Sequence, residues 1–457
     1  MRDTSVFHGK TAKYMTLGCK LNFSETATFL RTLYNIGVRE AQEGDSADIC
    51  LINTCSVTEM SEHKCRQQIH KMVRENPNAV VVVTGCYAQL RGNEIAHIPG
   101  VDLVLGSNEK AYLVDYLIPA MKAHESGMAT YKTTEACSAL HHAEKTKDIN
   151  SFQLSCSRGN RTRYFLKVQD GCNYFCTYCT IPFARGFSRN PSVDTLVKQV
   201  RQAVREGGKE VVLTGVNIGD FGRTTGEHFI DLVRSLDEIE GIRRYRISSL
   251  EPDLLTDELI EFCAHSSKFM PHFHIPLQSG SDTVLRLMHR RYDAALFSHK
   301  VRLIKEKMPN AFIGVDVMVG CRGETQECFN ESRDFIAGLE ITQLHVFPYS
   351  ERPGTAALNI PYIVDEKEKK RRVRELLTLS ETKTQAFYTR HIGTCQEVLF
   401  EKSPNGKPMH GFTRNYVRVE LPVNLVEPAF DNELLNVNLG GFNADRTALM
   451  AEKIFKS

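Results

Sequence analysis

Residues 164–186 read YFLKVQDGCNYFCTYCTIPFARG, and the order of signals in this stretch decides the fold. An apolar β-rich run at 164–168 leads directly into Gly171 and three cysteines, Cys172, Cys176 and Cys179, spaced C-x3-C-x2-C. A strand that opens into such a loop places the three thiols at the strand's carboxyl end, where parallel sheets and barrels gather their ligands. Downstream, strand signals recur at 210–213, 244–247, 272–275, 312–317 and 343–347, with helical segments between them. This β-then-α rhythm predicts a partial (β/α) barrel. A charged helix at 366–388 closes the region.

Upstream, 13–17, 48–53 and 79–84 are short apolar strands separated by helical patterns, with Ser24 expected as an N-cap and a helix expected at 61–74. That alternation predicts an α/β domain with a doubly wound parallel sheet. Each strand ends at a cysteine: Cys19, Cys55 and Cys86. Scattered cysteines are often buried small hydrophobes. Their recurrence after three successive strands makes them ligand candidates. Periodicity fades from 122 to 163, which reads as a linker. The last 65 residues change character, with strand signals at 397–401, 417–421 and 435–439 and turns expected at Asn405-Gly406 and Gly440-Gly441. A small β-barrel fits them. The expected domains are therefore 10–125, a linker at 126–157, 158–390 and 391–457.

Composition sets outer limits. The chain has 457 residues, 42% hydrophobic and 25% charged, with 57 Lys and Arg against 55 Asp and Glu. These values exclude wholesale disorder, a collagen-like chain and a membrane bundle. No apolar run reaches the roughly 18 residues of a membrane span, and residues 1–10 do not read as a secretory leader. A cytoplasmic protein is expected, its 14 cysteines reduced thiols or metal ligands. No G-x-G-x-x-G, P-loop or H-E-x-x-H motif occurs, which argues against dinucleotide, nucleotide-triphosphate and zinc-protease chemistry. Three thiolates at C-x3-C-x2-C suit a four-iron cluster with one iron left open, whereas zinc would need a fourth ligand. Cys50, Cys65, Cys137, Cys156, Cys263, Cys321, Cys328 and Cys395 read as non-ligands.

The cysteine loop after a first barrel strand resembles the radical S-adenosylmethionine superfamily. Thr214-Gly215, HIPLQSGS at 274–281, MHRRY at 288–292 and FPYSERPGT at 347–355 look like its barrel motifs. Cys19 in LGCKLN, Cys55 in NTCSVT and Cys86 in TGCYAQ resemble the N-terminal domain of the tRNA methylthiotransferases. The likeness runs end to end and includes a C-terminal module similar to the RNA-binding TRAM domain. It implies two 4Fe-4S clusters, one on Cys172, Cys176 and Cys179 and an auxiliary one on Cys19, Cys55 and Cys86. It also implies two S-adenosylmethionine molecules per turnover, one methylating a sulfur at the auxiliary cluster and one cleaved to a radical. Both sites must then face one cavity.

GCKLN and NTCSVT look like the type that methylthiolates C2 of N6-threonylcarbamoyladenosine next to the tRNA anticodon. Isopentenyladenosine in tRNA, or an aspartate of a ribosomal protein, is the alternative target. A non-catalytic Fe–S RNA-binding protein is the remote one. The implied partners are tRNA, an electron donor and a sulfur source, with no membrane, and the chain is taken as a monomer.

Thr214, Gly215, Gln278, Ser279 and Asp316 are cofactor-binding candidates, with core or turn roles as the alternative for the last three. From 151 to 190 six basic residues, Arg158, Arg161, Arg163, Lys167, Arg185 and Arg189, face one acid, Asp170. Five of them, Arg158, Arg161, Arg163, Arg185 and Arg189, are RNA-binding candidates, the alternative being a solvated linker. Phe412, Arg414, Tyr416 and Arg418 alternate on an expected strand as a stacking platform for RNA, or as a half-buried structural strand. The run at 369–374 (KKRRVR) is a second basic segment. Cys321-Arg322-Gly323-Glu324-Thr325 departs from the family's Phe-Pro-Gly-Glu-Thr, which puts that loop's rigidity in doubt.

Overall fold

A computed structural model describes residues 3–42, 44–126, 148–159, 161–404 and 406–455, together with the backbone of 140–142. Cys137, Asn405 and most of the 126–157 linker lie outside the described residues.

The N-terminal domain holds one parallel sheet of β1 (Thr11–Thr16), β2 (Arg39–Glu40), β3 (Ile49–Thr54), β4 (Val80–Gly85), β5 (Leu103–Leu105) and β6 (Leu140–His142), in the order 2-1-3-4-5-6. β3 and β4 are buried along their whole length, as continuous β-branched and apolar runs require at the centre of a sheet with helices on both faces. Two separate cores confirm the double winding. One joins Phe29 and Leu33 of α1 (Lys20–Asn35) to Leu117 and Met121, the other joins Ile69 of α2 (Glu59–Glu75) to Tyr87 and Ile95. Ser24 does not cap α1. The helix starts earlier, at Lys20 behind Cys19, and Ser24 is buried inside it with its hydroxyl on Ser155 and the Phe165 carbonyl. The linker also does more than connect, because β6 returns to the first sheet and β7 (Cys156–Ser157) pairs antiparallel with the first barrel strand.

That barrel contains β8 (Tyr164–Lys167), β9 (Glu210–Thr214), β10 (Arg244–Ile247), β11 (His272–Gln278), β12 (Phe312–Val319) and β13 (Gln343–Pro348). They form two parallel sheets, with β8 to β10 in one and β11 to β13 in the other, joined by a bridge between Tyr245 and Phe269. Alternation sorts the side chains. Tyr164, Leu166, Val211, Leu213, Tyr245, Ile247, Ile313 and Val315 enter the apolar core under the helices. The opposite face points into the lumen and, beside Phe165, Val212 and Phe312, carries the polar residues Lys167, Glu210, Thr214, Arg244, Arg246, His272, His274, Asp316 and His345. The helix Glu366–Thr389 packs along β13.

The C-terminal module is a closed barrel of β14 (Cys395–Glu401), β15 (Met409–Thr413), β16 (Arg418–Leu421), β17 (Leu434–Phe442) and β18 (Leu449–Phe455), in the order 14-15-16-18-17. Gly440 and Gly441 are not a turn. They lie inside β17, where the pairing with β18 shifts register as a bulge. The module seals the amino ends of the barrel strands: Arg244 donates to the Phe412 carbonyl at 2.9 Å and Arg246 to the Thr413 carbonyl at 2.8 Å.

The N-terminal domain and the barrel meet on buried charge. Glu25 of α1 takes Lys110 at 2.8 Å, Lys167 at 2.9 Å and Arg185 at 3.1 Å, while Asp170 takes Lys167 at 2.6 Å, Arg185 at 3.0 Å and Arg189 at 3.3 Å. Burial alone would raise both carboxyls, but these cations hold them well below the ordinary range.

Removing one partner of a buried ion network strands the others, so Glu25→Gln should cost about 3–5 kcal/mol in chemical denaturation. Glu258→Gln, which breaks the exposed pair with Arg234, should cost no more than about 1 kcal/mol. Because the folded-state values are depressed, the Glu25 and Asp170 contribution is complete above their ordinary values of 4.5 and 3.8 and is lost as pH falls below them. Acid titration of wild type should therefore show a loss of stability that Glu25→Gln largely lacks.

Candidate functional site

The strand-end cysteines converge because glycines let the chain turn sharply in front of two of them. Gly18 has φ +102° and Gly85 has φ +101°, left-handed values that favour glycine. A Cβ at Gly18 would sit 2.8 Å from the Cys55 Cβ, and one at Gly85 would sit 2.3 Å from the Thr54 carbonyl oxygen. Cys19, Cys55 and Cys86 each lie within electrostatic reach of the other two. Asn22, fixed by bonds to the Leu17 and Thr54 carbonyls at 2.9 Å each, binds the turn after β1 to the end of β3. Burial pushes the Cys55 thiol up to about 12 and raises that of Cys19. The Cys19 surface is nevertheless open, so this sulfur faces a recess rather than solid protein.

Arg185 is the link to the barrel. It lies six residues beyond Cys179, at the end of the helix Ile181–Arg185, and donates from Nε to the Cys86 sulfur at 3.3 Å and from Nη2 to Asn22 at 2.6 Å. Around it four cations, Lys110, Lys167, Arg185 and Arg189, meet two carboxylates, Glu25 and Asp170. Burial brings Lys110 down to about 8 against the pull of Glu25. Three soft thiol donors beside a surplus of positive charge fit an anionic thiolate-bound metal centre.

The second cysteine set has the same arrangement. Cys172, Cys176 and Cys179 also lie within electrostatic reach of one another, and burial raises Cys172 to about 11 and Cys179 to about 12. Arg290 of MHRRY donates to the Cys176 sulfur at 3.2 Å and pairs with Glu251, whose carboxyl burial lifts to about 7. None of the three thiols is in a disulfide, and three sulfurs in one loop at a barrel mouth fit a four-iron cluster with an open iron.

Among the cofactor candidates, Thr214 is buried at the end of β9 and Gly215 is pressed against the Gln169 backbone. The Gln169 side chain accepts from the backbone N–H groups of Val216 and Asn217, and the buried side-chain amide of Asn217 has no partner at either end among the described residues. An orphaned polar group there fits a polar ligand such as S-adenosylmethionine. Gln278 and Asp316 line a cavity of about 290 Å³, together with Cys179, Tyr178, Phe347 and Tyr349. Val57 and Thr58, just past Cys55, line the same cavity from the N-terminal domain. Ser279 does not: it is fully buried, its hydroxyl accepting from the Ser281 amide. His274 Nε2 donates to the Asp316 carboxylate at 2.8 Å, and with His345 these groups are close enough to hold a cation. Lys20 is an electrostatic neighbour of both Asp316 and His345, which opposes a cation there.

The expected RNA residues need correction. Arg185 and Arg189 are buried in the charge cluster, and Arg163 is tied to Glu401 at 2.7 Å, so these three are internal ties. Phe412, Arg414, Tyr416 and Arg418 do share a side, but across a hairpin turn rather than along one strand. Phe412 and Tyr416 stack at 4.5 Å against the barrel floor, with Arg163 and Arg246 over their rings, and Arg414 donates to the Ser267 carbonyl. Arg161 is exposed, and Arg158 and Arg418 are half-buried. In the 369–374 run, Lys369, Arg371 and Arg372 pair with Glu366, Glu368 and Glu324. Arg372 and the Gly320 amide grip Glu324, so the departure at 321–325 does not loosen that loop. Among the groups absent from the expectations are Lys20, Glu25, Arg290 and an exposed trio beside the cysteine loop, Phe175, Phe183 and Phe187, with ring centroids 6.1 and 5.9 Å apart. The MHRRY motif carried a signal for Arg290. GCKLN contained Lys20 and the cysteine loop contained Phe175, but nothing local marked Glu25, Phe183 or Phe187.

Two family models match the chain: uncharacterized protein family UPF0004 over residues 11–106 and the radical SAM superfamily over residues 166–336. The threonylcarbamoyladenosine tRNA methylthiotransferase MtaB of Bacillus subtilis is 37% identical over 90% of each chain. The tRNA-2-methylthio-N(6)-dimethylallyladenosine synthase of Finegoldia magna is 30% identical over 96% of this chain and 93% of its own. Among solved structures, the radical S-adenosylmethionine methyltransferase TsrM of Kitasatospora setae shares the fold, with a TM-score of 0.55 at 15% identity over 76% of this chain and 77% of its own.

Gly85→Ala should cost more than about 1 kcal/mol in denaturant unfolding of the metal-free protein, because both its φ and the Thr54 backbone forbid a Cβ. Ala at Gly354, which also has positive φ but open space, should cost less.

Proposed function

Because this chain belongs to the MtaB-type tRNA methylthiotransferases of the radical SAM superfamily, we propose that it replaces the C2 hydrogen of N6-threonylcarbamoyladenosine in tRNA by a methylthio group, next to the anticodon. The family brings a 4Fe-4S cluster and S-adenosylmethionine. Cys172, Cys176 and Cys179 hold that cluster, and Cys19, Cys55 and Cys86 hold a second, auxiliary one. When bound, the first supplies the electron that cleaves S-adenosylmethionine and the second supplies a site for the transferred sulfur. An external electron donor and a sulfur source complete the reaction, and two S-adenosylmethionine molecules are used per turnover.

The observation that carries this reading is the shared cavity: Cys179 lines it from the barrel and Val57–Thr58, beside Cys55, line it from the other domain. A substrate base placed there lies between the two cysteine sets. The chain's own groups position and insulate it. Arg290 and Arg185 each donate to one cysteine sulfur, which favours the thiolate and fixes the two sets relative to the barrel. Gln169 holds the turn after Thr214-Gly215 so that the Asn217 amide can meet S-adenosylmethionine. Phe175, Phe183 and Phe187 form the stacking rim for anticodon-loop bases, with Arg158 and Arg161 left for phosphates. The 37% likeness to the Bacillus subtilis protein favours threonylcarbamoyladenosine over the isopentenyl-type substrate of the 30% relative.

Iron counting after anaerobic reconstitution should give one cluster's loss in Cys172→Ala and the other's in Cys55→Ala; loss of both or neither in either variant overturns the grouping. The reduced enzyme should release 5′-deoxyadenosine, which a mere RNA binder cannot. Nucleoside mass spectrometry of tRNA from a deletion strain should show the 2-methylthio derivative of threonylcarbamoyladenosine gone and that of isopentenyladenosine retained.

A further inference from the structure

Lys20 follows Cys19 and opens α1, which packs along β7 and β8 at the open side of the barrel. Its electrostatic neighbours lie in the lumen, not on the sheet it comes from: Arg163, Arg246, Asp316 and Tyr416, and in turn His272 and His345. The other lumen charges are already matched. Arg163, Arg244 and Arg246 share Glu210, and Asp316 is bonded to His274. Among the described residues Lys20 has no hydrogen bond and no ion pair within 4 Å.

Two further lumen groups stand ready beside it. Among the described residues the Nδ1 of His272 is buried without a hydrogen-bond partner, and His345 sits beside the His274 ring, at 5.0 Å between centroids. Gly314 leaves room between His274 and His345, since even its missing Cβ would lie 3.5 Å from one ring and 3.9 Å from the other. Asp316 connects this pocket to the cavity lined by Cys179. An ammonium that stays open to solvent within this recess, with imidazoles beside it and no anion bonded to it, is a receptor for a small carboxylate that also carries hydroxyl or amide groups.

We propose that Lys20 binds the carboxylate of the substrate's threonylcarbamoyl group, with His272 and His345 as hydrogen-bonding neighbours, and so sets the preference for this nucleoside. The inference rests on the substrate reading above. An adenosine bearing an uncharged prenyl group would give the Lys20 ammonium no anion to pair with, so the contact that favours the acid is missing for that analogue.

The test uses reconstituted full-length enzyme and anticodon stem-loops carrying threonylcarbamoyladenosine, its threonine methyl ester or plain adenosine, with binding and single-turnover methylthiolation measured for each. Wild type should bind the acid about tenfold or more tighter than the ester or adenosine. Lys20→Met should lose that difference while keeping wild-type iron content and affinity for the adenosine stem-loop, and Lys20→Arg should keep part of it. If Lys20→Met retains the full preference, or weakens all three stem-loops equally, the subsite is wrong. Should Lys20→Met lose iron, Lys20→Gln and the ester probe on wild type decide: wild type treating ester and acid alike overturns the proposal. A wild type that modifies none of the threonylcarbamoyl substrates refutes the substrate reading itself.

Discussion

Everything at the centre of this molecule depends on one guanidinium. Arg185 touches Glu25, Asp170, Asn22 and the Cys86 sulfur at once, and those four groups come from three parts of the chain: α1, the end of β4 and the turn after β8. A buried cation of this kind has one low-energy position, because any displacement breaks its bonds to two carboxylates and an amide oxygen at once. Through it the cysteine loop of the barrel and the strand-end cysteines of the N-terminal domain share a frame of reference. The network is therefore better understood as a device for geometry than as a source of net stability, since the desolvation of its six charged groups offsets much of their attraction.

The same charges prepare the cysteines. Burial holds Cys55, Cys172 and Cys179 as thiols in the metal-free chain, so binding a metal centre must expel protons. Arg185 and Arg290 lie where the resulting thiolate charge would appear. Loading of either set thus becomes easier as pH rises, and the surplus of buried cations around Glu25 and Asp170 is relieved when an anionic centre forms beside it.

Much of this was legible in the sequence. Six barrel strands and three N-terminal strands fall where apolar runs place them, because strands buried on a face must be apolar whatever lies around them. The cysteines were legible because their position, after a strand or within one loop, is itself a local signal. What stayed hidden depends on distant partners. β6 is three residues long and is a strand only because β5 offers it an edge. Arg163, Arg185 and Arg189 looked like RNA contacts because a run of basic residues shows its charge but not its distant acids, Glu25 and Glu401, nor how Asp170 within the run is shared. Phe412 and Tyr416 had the spacing of a nucleic-acid platform, and the barrel floor took them instead.

Arg185 lies six positions after Cys179, and the last five of those positions form the short helix Ile181–Arg185. That segment is a ruler. A helix advances about 1.5 Å and turns about 100° per residue, so one inserted or deleted residue would swing the guanidinium to another face. Substitutions along the segment are tolerable in principle, but its length is not free to drift. Among relatives, insertions should accumulate in the barrel's outer loops, while the count between this cysteine and this arginine acts as a fixed gauge for the spacing of the two cysteine sets.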